Sequence, residues 1–336
     1  MTTVSFAHLL ALSDSVGTFE HARFRTPRRE HGYCVDDVSR TLIVVCSESD
    51  RGSELADLEQ NSLRFVLDAQ DRRGRTRNRR DVSGRWTSPP VTDDCWGRSL
   101  WALGFAAARV SDPVLERFAL STYDVCCGQT STSPRALAFA TLGAEQIHRH
   151  PLSSPRWVLP VHRFVEWLDA APWSVRWPWP EERLAYANAV LCHAAIAAGM
   201  VLDRIDLVRR GLDLLDWLVE HDTIDGHLSP VPVGGAGPGD RPGRFDQQPI
   251  EIASLARAAT RAFEATYDRS WIDVVELCAR WFDGDNDAGL VMWDHRTGAG
   301  FDGLHADGVN ENCGAESTLA AMATMQQRTL LAAMVS

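Results

Sequence analysis

Six segments of this chain are apolar nearly all round and rich in small residues, and they limit its fold more than any other feature. They read "VDDVSRTLIVVC", "LWALGFAAA", "RALAFATLGA", "LAYANAVLCHAAIAAG", "EIASLARAATRAF" and "STLAAMATM". A helix without a polar face has to be covered on both sides. Each of the six, starting near residues 36, 93, 134, 184, 248 and 314, follows an amphipathic segment, near 4–12, 55–69, 113–125, 155–170, 205–220 and 272–282. In 205–220 the stripe is Val208, Gly211, Leu212, Leu215, Leu218 and Val219, and in 272–282 it is Ile272, Val275, Cys278, Ala279 and Phe282, the spacing of a helix with one wet side. That makes twelve helices in six hairpins. The starts are 57, 41, 50, 64 and 66 residues apart, too irregular for a solenoid of identical repeats but suited to a closed ring of hairpins with unequal loops. The expected fold is all-α, an (α/α)6 toroid forming a single domain over residues 1–336. In such a ring the inner helices run the same way, so their N-termini open on one rim.

The formal net charge of −11 argues against a nucleic-acid or anionic-membrane partner, because such binders need a basic face. The one basic run, "RRGRTRNRR" at 72–80, reads as a solvated loop. Eight scattered cysteines lack the spacing of a disulfide framework and read as core thiols. The first stretch, "MTTVSFAHLLALSDSVG", has no basic leader, and no segment approaches the roughly 20 apolar residues of a membrane span. Cytoplasmic residence is the expectation, and no cofactor or metal is expected.

Polar residues crowd five of the six inner-helix starts. The first has His31, Tyr33, Asp36, Asp37 and Arg40, and the second has Asp93, Asp94, Trp96 and Arg98. The fourth has Tyr186 and Asn188; the fifth has Arg244, Asp246, Gln247, Gln248 and Glu251; the sixth has Asn310, Glu311, Asn312 and Glu316. The third, "TSTSPRAL", is an ordinary Ser N-cap with Pro134 at the first helical position. One acid suffices to cap a helix, so the pairs Asp36–Asp37 and Asp93–Asp94 ask for more than capping. The second acid of each pair is expected on the rim and the first as the cap. The loops carry Trp86, Trp173, Trp177, Trp179 and Trp293, five of the twelve tryptophans. Flat aromatic faces beside carboxylates and amides suit a sugar, which stacks its C–H face and takes bidentate bonds on its hydroxyls. Glycoside cleavage needs one carboxyl to protonate the leaving oxygen and a second to activate water or attack the anomeric carbon.

At these residues the chain resembles a bacterial family of six-hairpin glycosidase-like domains, often fused behind glycosyltransferases. The matching motifs are "HGYCVDDVSR", "TDDCWGRSLWALG", "LAYANA", "GRFDQQPIEIAS" and "NENCGAESTLA", spread over nearly the whole chain. The resemblance implies the toroid fold and a carbohydrate-active role. A separately encoded glycosyltransferase is the partner it suggests, beside an oligosaccharide or glycoconjugate substrate. Val38 and Ser39 depart from the family pattern after the paired acids.

The resulting expectation is a glycoside hydrolase with Asp37, Asp94, Glu251, Glu311 and Glu316 as catalytic carboxylates. His31, Tyr33, Asp36, Arg40, Asp93, Trp96, Arg98, Tyr186, Asn188, Arg244, Asp246, Gln247, Gln248 and Asn312 are the expected substrate-binding residues. Other readings stay open at this point. They are phosphorolysis; a sugar epimerase using His31, His193 or His305 as proton shuttles; a non-catalytic glycan-binding module; and a zinc-dependent cyclase-like toroid using Cys34, Cys95, Cys192, His193 and Cys313.

Overall fold

The structure, a computed structural model, describes residues 4–240 and 244–335; the first three residues of the N-terminal stretch read above lie outside it. Among the described residues there are twelve α-helices: α1 (Ala7–Ala11), α2 (Val35–Cys46), α3 (Ser53–Ala69), α4 (Asp94–Arg109), α5 (Pro113–Cys126), α6 (Pro134–Ile147), α7 (Val158–Ala170), α8 (Ala189–Val201), α9 (Ile205–His221), α10 (Pro249–Thr266), α11 (Ser270–Phe282) and α12 (Ala315–Val335). The strands are two or three residues long and pair only as small two-stranded sheets. The backbone sorts into two compact units, Leu9–Trp167 and Met1–His8 with Leu168–Ser336.

In each unit the even-numbered helices are the ones without a polar face. Every residue of α4 from Cys95 to Ala107 is buried, as is every residue of α8 from Ala189 to Gly199. The helices between them are one-sided. In α9 the buried stripe is Leu207, Val208, Gly211, Leu214, Leu215 and Leu218, turned slightly from the expected one, so that Leu212 and Val219 sit at its half-exposed edge. In the first unit α4 lies between α2 and α6, and in the second α10 lies between α8 and α12.

Missing side chains set the spacing of α4 and α6. A Cβ on Gly97 would come within 2.3 Å of the Ala136 carbonyl oxygen, one on Gly104 within 2.3 Å of the Gly143 oxygen, and one on Gly143 within 2.3 Å of the Leu100 oxygen. The matched steps, Gly97 to Gly104 and Ala136 to Gly143, show that the two helices run parallel and in register. Their N-termini therefore lie side by side, which is what gathers the loop ends.

Gly104→Ala puts a methyl against backbone that cannot give way, so it is expected to destabilise the protein by at least about 1–3 kcal/mol. Gly234→Ala, where nothing lies within 4 Å of the added atom, should stay within about 0.5 kcal/mol. Urea unfolding of the two variants checks this, and equal midpoints would show that the helices are not held at glycine distance.

Candidate functional site

In the first unit, the strand Tyr33–Cys34 that leads into α2 pairs with Arg79–Arg80 of the loop that leads into α4. The Val35 N–H donates to the Asn78 carbonyl at 2.9 Å. This places Asn78 and Arg98 over the first turn of α2. Arg98 Nη1 donates to Asp36 Oδ1 at 2.7 Å, across from one inner helix to the next. Arg40 Nη1 donates to Asp37 Oδ1 at 2.6 Å, one turn along the same helix. The Arg98 guanidinium also lies over the Phe139 ring, 4.4 Å from its centroid. Burial by itself pushes the Asp36 carboxyl up, but Arg98 and Arg40, together with the Asn78 hydrogen bond, outweigh it and hold the group below the usual carboxylate range.

None of the paired acids caps a helix through its side chain. The N-cap of α2 is Cys34, with no side-chain cap bond, and Asp36 and Asp37 follow it inside the first turn. Asp93 does occupy the N-cap position of α4, but its side chain makes no cap bond. Asp94 Oδ1 accepts the Ser133 hydroxyl at 2.7 Å, while Ser133 Oγ accepts the Ala136 N–H and caps α6. The third helix start is thus an ordinary cap, and it also ties Asp94 in place.

The other expected residues of this unit scatter. Trp96 is fully buried and its indole N–H donates to the Cys126 carbonyl at 3.3 Å. It faces outer helix α5 rather than a ligand, which corrects its expected binding role. Tyr33 is corrected likewise: it is buried against Phe19, ring centroids 4.7 Å apart, and its hydroxyl donates to Asp14. His31 is exposed, its Nδ1 3.0 Å from Nδ1 of His21. Of the basic run, Arg75, Arg79 and Arg80 pair with Asp71, Glu20 and Asp68.

Potential ligand atoms of Glu20, Cys34 and Asp37 lie within 4.8 Å of one another. Glu20, Asp36 and Asp37 are already matched by Arg79, Arg98 and Arg40, which leaves a divalent cation no charge to balance. This group shares only Cys34 with the set a zinc cyclase would need. Burial raises the thiols of Cys34, Cys192 and, to about 12, Cys95, the opposite of what a thiolate ligand requires.

In the second unit Glu251 does not reach over Gln247 toward open space. Its carboxylate accepts the backbone N–H of Ala187, the N–H of Asn188 at 3.2 Å and the Asn188 side-chain amide at 3.1 Å. Both residues are buried, and Asn188 in turn accepts the Ala185 N–H at 2.9 Å. The carboxylate thereby holds Ala187 at φ +46, a left-handed conformation that costs a residue with a Cβ about 1–2 kcal/mol. Glu251 and Asn188, expected as catalytic and binding residues, are occupied in building the loop that carries half-exposed Tyr186.

Gln247 is a buried hub. Its amide nitrogen donates to Asp287 Oδ2 and to the Arg244 carbonyl, both at 2.5 Å, and its oxygen accepts the Trp281 indole N–H at 3.2 Å. Asp287 also meets His227 at 3.3 Å and the exposed Arg244 at 3.5 Å. Sequence reasoning missed Asp287, His227 and Trp281, which carry no motif and converge only through the fold. Asp246, Glu311 and Arg244 are exposed, while Gln248, Asn312 and Glu316 are half-exposed at the starts of α10 and α12.

The loop tryptophans are occupied with the protein. Trp86 donates to Asp68 and packs on Phe65. Trp179, fully buried, stacks on Trp217, which Trp177 meets edge-on. Buried Trp293 donates to Asp283. Trp173 carries the Arg210 guanidinium 3.8 Å from its ring centroid. Trp179 and Trp293 are buried and Trp86 and Trp177 pack on neighbouring rings, so most of the expected row of stacking platforms is taken up by packing, and Trp173 remains exposed.

Glu251→Gln leaves buried N–H groups without enough acceptors and should cost about 1–3 kcal/mol, whereas Ala187→Gly should be neutral or stabilising by up to about 1 kcal/mol. Equal melting temperatures for both variants and the parent would sink this account. The Asp36 carboxyl lies lower in the folded chain than in the unfolded one, near 3.9. Its contribution is therefore present above that pH and is lost as pH falls through the folded value. Asp36→Asn should flatten the acid limb of the stability curve, as measured by denaturant titration at a series of pH values.

No family model and no curated protein matches this chain. Solved structures do. A sugar epimerase from a ruminal bacterium matches at TM-score 0.74 with 11% identity, over 96% of this chain and 95% of that one. A D-mannose isomerase matches at 0.69 with 13% identity, over 97% and 95%. A GH76 α-mannanase from Bacteroides thetaiotaomicron matches at 0.62 with 8% identity, over 90% and 87%. These likenesses show the fold class expected from the sequence, the all-α (α/α)6 toroid of six helical hairpins.

Proposed function

We propose that this chain is a carbohydrate-active enzyme that cleaves a glycosidic bond. The observation that carries the reading is the polar set at the inner-helix starts within each unit, carboxylates paired with guanidiniums in the first and an accessible imidazole–carboxylate pair in the second, although no cap requires them. The Arg98–Asp36 and Arg40–Asp37 pairs and exposed Arg244 and Asp246 suit hydroxyl recognition without a net charge. Folds alike to this one in a mannanase and in sugar epimerases and isomerases support the substrate class and leave the reaction to the residues.

Of the five expected catalytic carboxylates, Glu251 is spent on Ala187 and Asn188, and Asp37 is buried against Arg40. Asp94 keeps one oxygen without a partner among the described residues. Glu311 is exposed and Glu316 is half-exposed on the first turn of α12. Asp94 in the first unit and Glu311 and Glu316 in the second are the carboxylates still able to serve as the catalytic acid. A second reading, epimerisation of a sugar, is favoured by one observation, an accessible imidazole held by a carboxylate at His305 and Asp246.

Incubation with a panel of oligosaccharides and free sugars in D2O separates the two. Cleavage releases new reducing ends, and epimerisation places deuterium on the carbon next to the carbonyl without them. In a hydrolase, Asp94→Asn, Glu311→Gln or Glu316→Gln should lower kcat by about 10²- to 10⁴-fold for an essential acid or base, with melting temperature nearly unchanged. Wild-type protein that changes no sugar in the panel would end the carbohydrate reading, and full activity in all three variants would end the carboxylate mechanism.

A further inference from the structure

Several histidines pair with carboxylates among the described residues. His21–Glu20 are chain neighbours, and His150–Glu116 ties outer helix α5 to the turn after α6. One pair alone both joins the loops ahead of two inner helices and is open on both partners. His221–Asp222 and His227–Asp287 set the imidazole against a carboxylate that is itself buried, with side-chain exposures of 6% and 0%, as packing does. His295 lies against Asp283, the C-cap of outer helix α11. His305 and Asp246 belong to the loops directly ahead of two neighbouring inner helices, α12 and α10, and both are open, at 36% and 54%.

Backbone register brings them together. Gln247 and Leu304 exchange both hydrogen bonds of an antiparallel bridge, at 3.0 and 2.9 Å, and both side chains are fully buried. In that register Asp246 stands directly opposite His305, and alternation turns both to the other, wet face. Oδ1 of Asp246 lies 2.5 Å from Nδ1 of His305. On its other side His305 pairs with Gly308, and nothing lies within 4 Å of where a Gly308 side chain would start. The ring thus has a carboxylate on one flank and open space on the other, and Nε2 has no partner among the described residues.

We propose that Asp246 and His305 form a proton-transfer dyad, Asp246 as the positioning residue that holds the Nδ1–H tautomer and His305 Nε2 as the base. A carboxylate cannot donate, so it fixes the proton on Nδ1 and leaves the Nε2 lone pair outward. This inference rests on the carbohydrate reading for its substrate. In glycoside cleavage Nε2 takes a proton from water as the water oxygen bonds to the anomeric carbon. The bond to the leaving oxygen breaks, and that oxygen takes its proton from a carboxylic acid. The imidazolium and the acid then exchange with solvent, so one water is consumed and nothing is oxidised or reduced.

Two measurements test it. Long-range ¹H–¹⁵N correlation at alkaline pH should find His305 as the Nδ1–H tautomer in the wild type and as the Nε2–H form in Asp246→Ala. On any sugar of the panel that the wild type turns over, His305→Ala should lose about 10²- to 10⁴-fold in kcat and regain part of it with added imidazole. Asp246→Ala should lose about 10- to 100-fold. An Nε2–H tautomer in the wild type, or an active enzyme whose kcat survives His305→Ala, overturns the dyad. Wild-type protein that holds the Nδ1–H tautomer but turns over no sugar overturns the carbohydrate reading and leaves the base in place.

Discussion

Close approach of helices that lack side chains at their contacts is the constraint on which the rest depends. Glycine against backbone at Gly97, Gly104 and Gly143 holds α4 and α6 parallel and in register, and parallel helices present their N-termini together. Each such end brings unpaired N–H groups and the positive end of a dipole. Acids are welcome there, and loops of unequal length can supply whatever else a site needs without disturbing the core.

The acids are nevertheless held by arginines more than by helix ends. Asp36 is tied to Arg98 on the next helix and Asp37 to Arg40 on its own. Such pairs stitch adjacent helices while keeping the cluster near neutrality, which fits a neutral ligand better than a metal or a phosphate. In the second unit the same economy appears in another form. Glu251 spends its charge on two backbone N–H groups and an amide, and Asp287 spends its own on Gln247, His227 and Arg244. Groups used in this way shape the loops, while Arg244, Asp246 with His305, and Glu311 stay accessible.

Much of the architecture was legible in the sequence. The six apolar segments became α2, α4, α6, α8, α10 and α12 and the six amphipathic ones the odd-numbered helices, because a 3.6-residue period and the absence of a polar face are local properties of the chain. The Ser133 cap with Pro134 behind it was legible for the same reason. Which neighbour each covers was not legible, for α2, α4, α8 and α10 pack mainly on the amphipathic helix that follows rather than the one before. The roles of single residues at the helix starts were not legible either. Trp96 and Tyr33 read as binding residues because they sit beside acids in the sequence, yet a helix turns successive side chains by about 100°, and those two point into the core.

By itself, then, the sequence determined the helix count, the fold class and the crowding of polar residues at the inner-helix starts. The tertiary structure alone decided which of those polar residues remain accessible. Whether Glu251 meets a ligand or the Ala187 backbone, and whether His305 finds Asp246 some sixty residues away, depends on which loops meet across neighbouring helix ends. Periodicity carries no information about that, since contacts between loops follow from packing distances and strand register that no local pattern encodes.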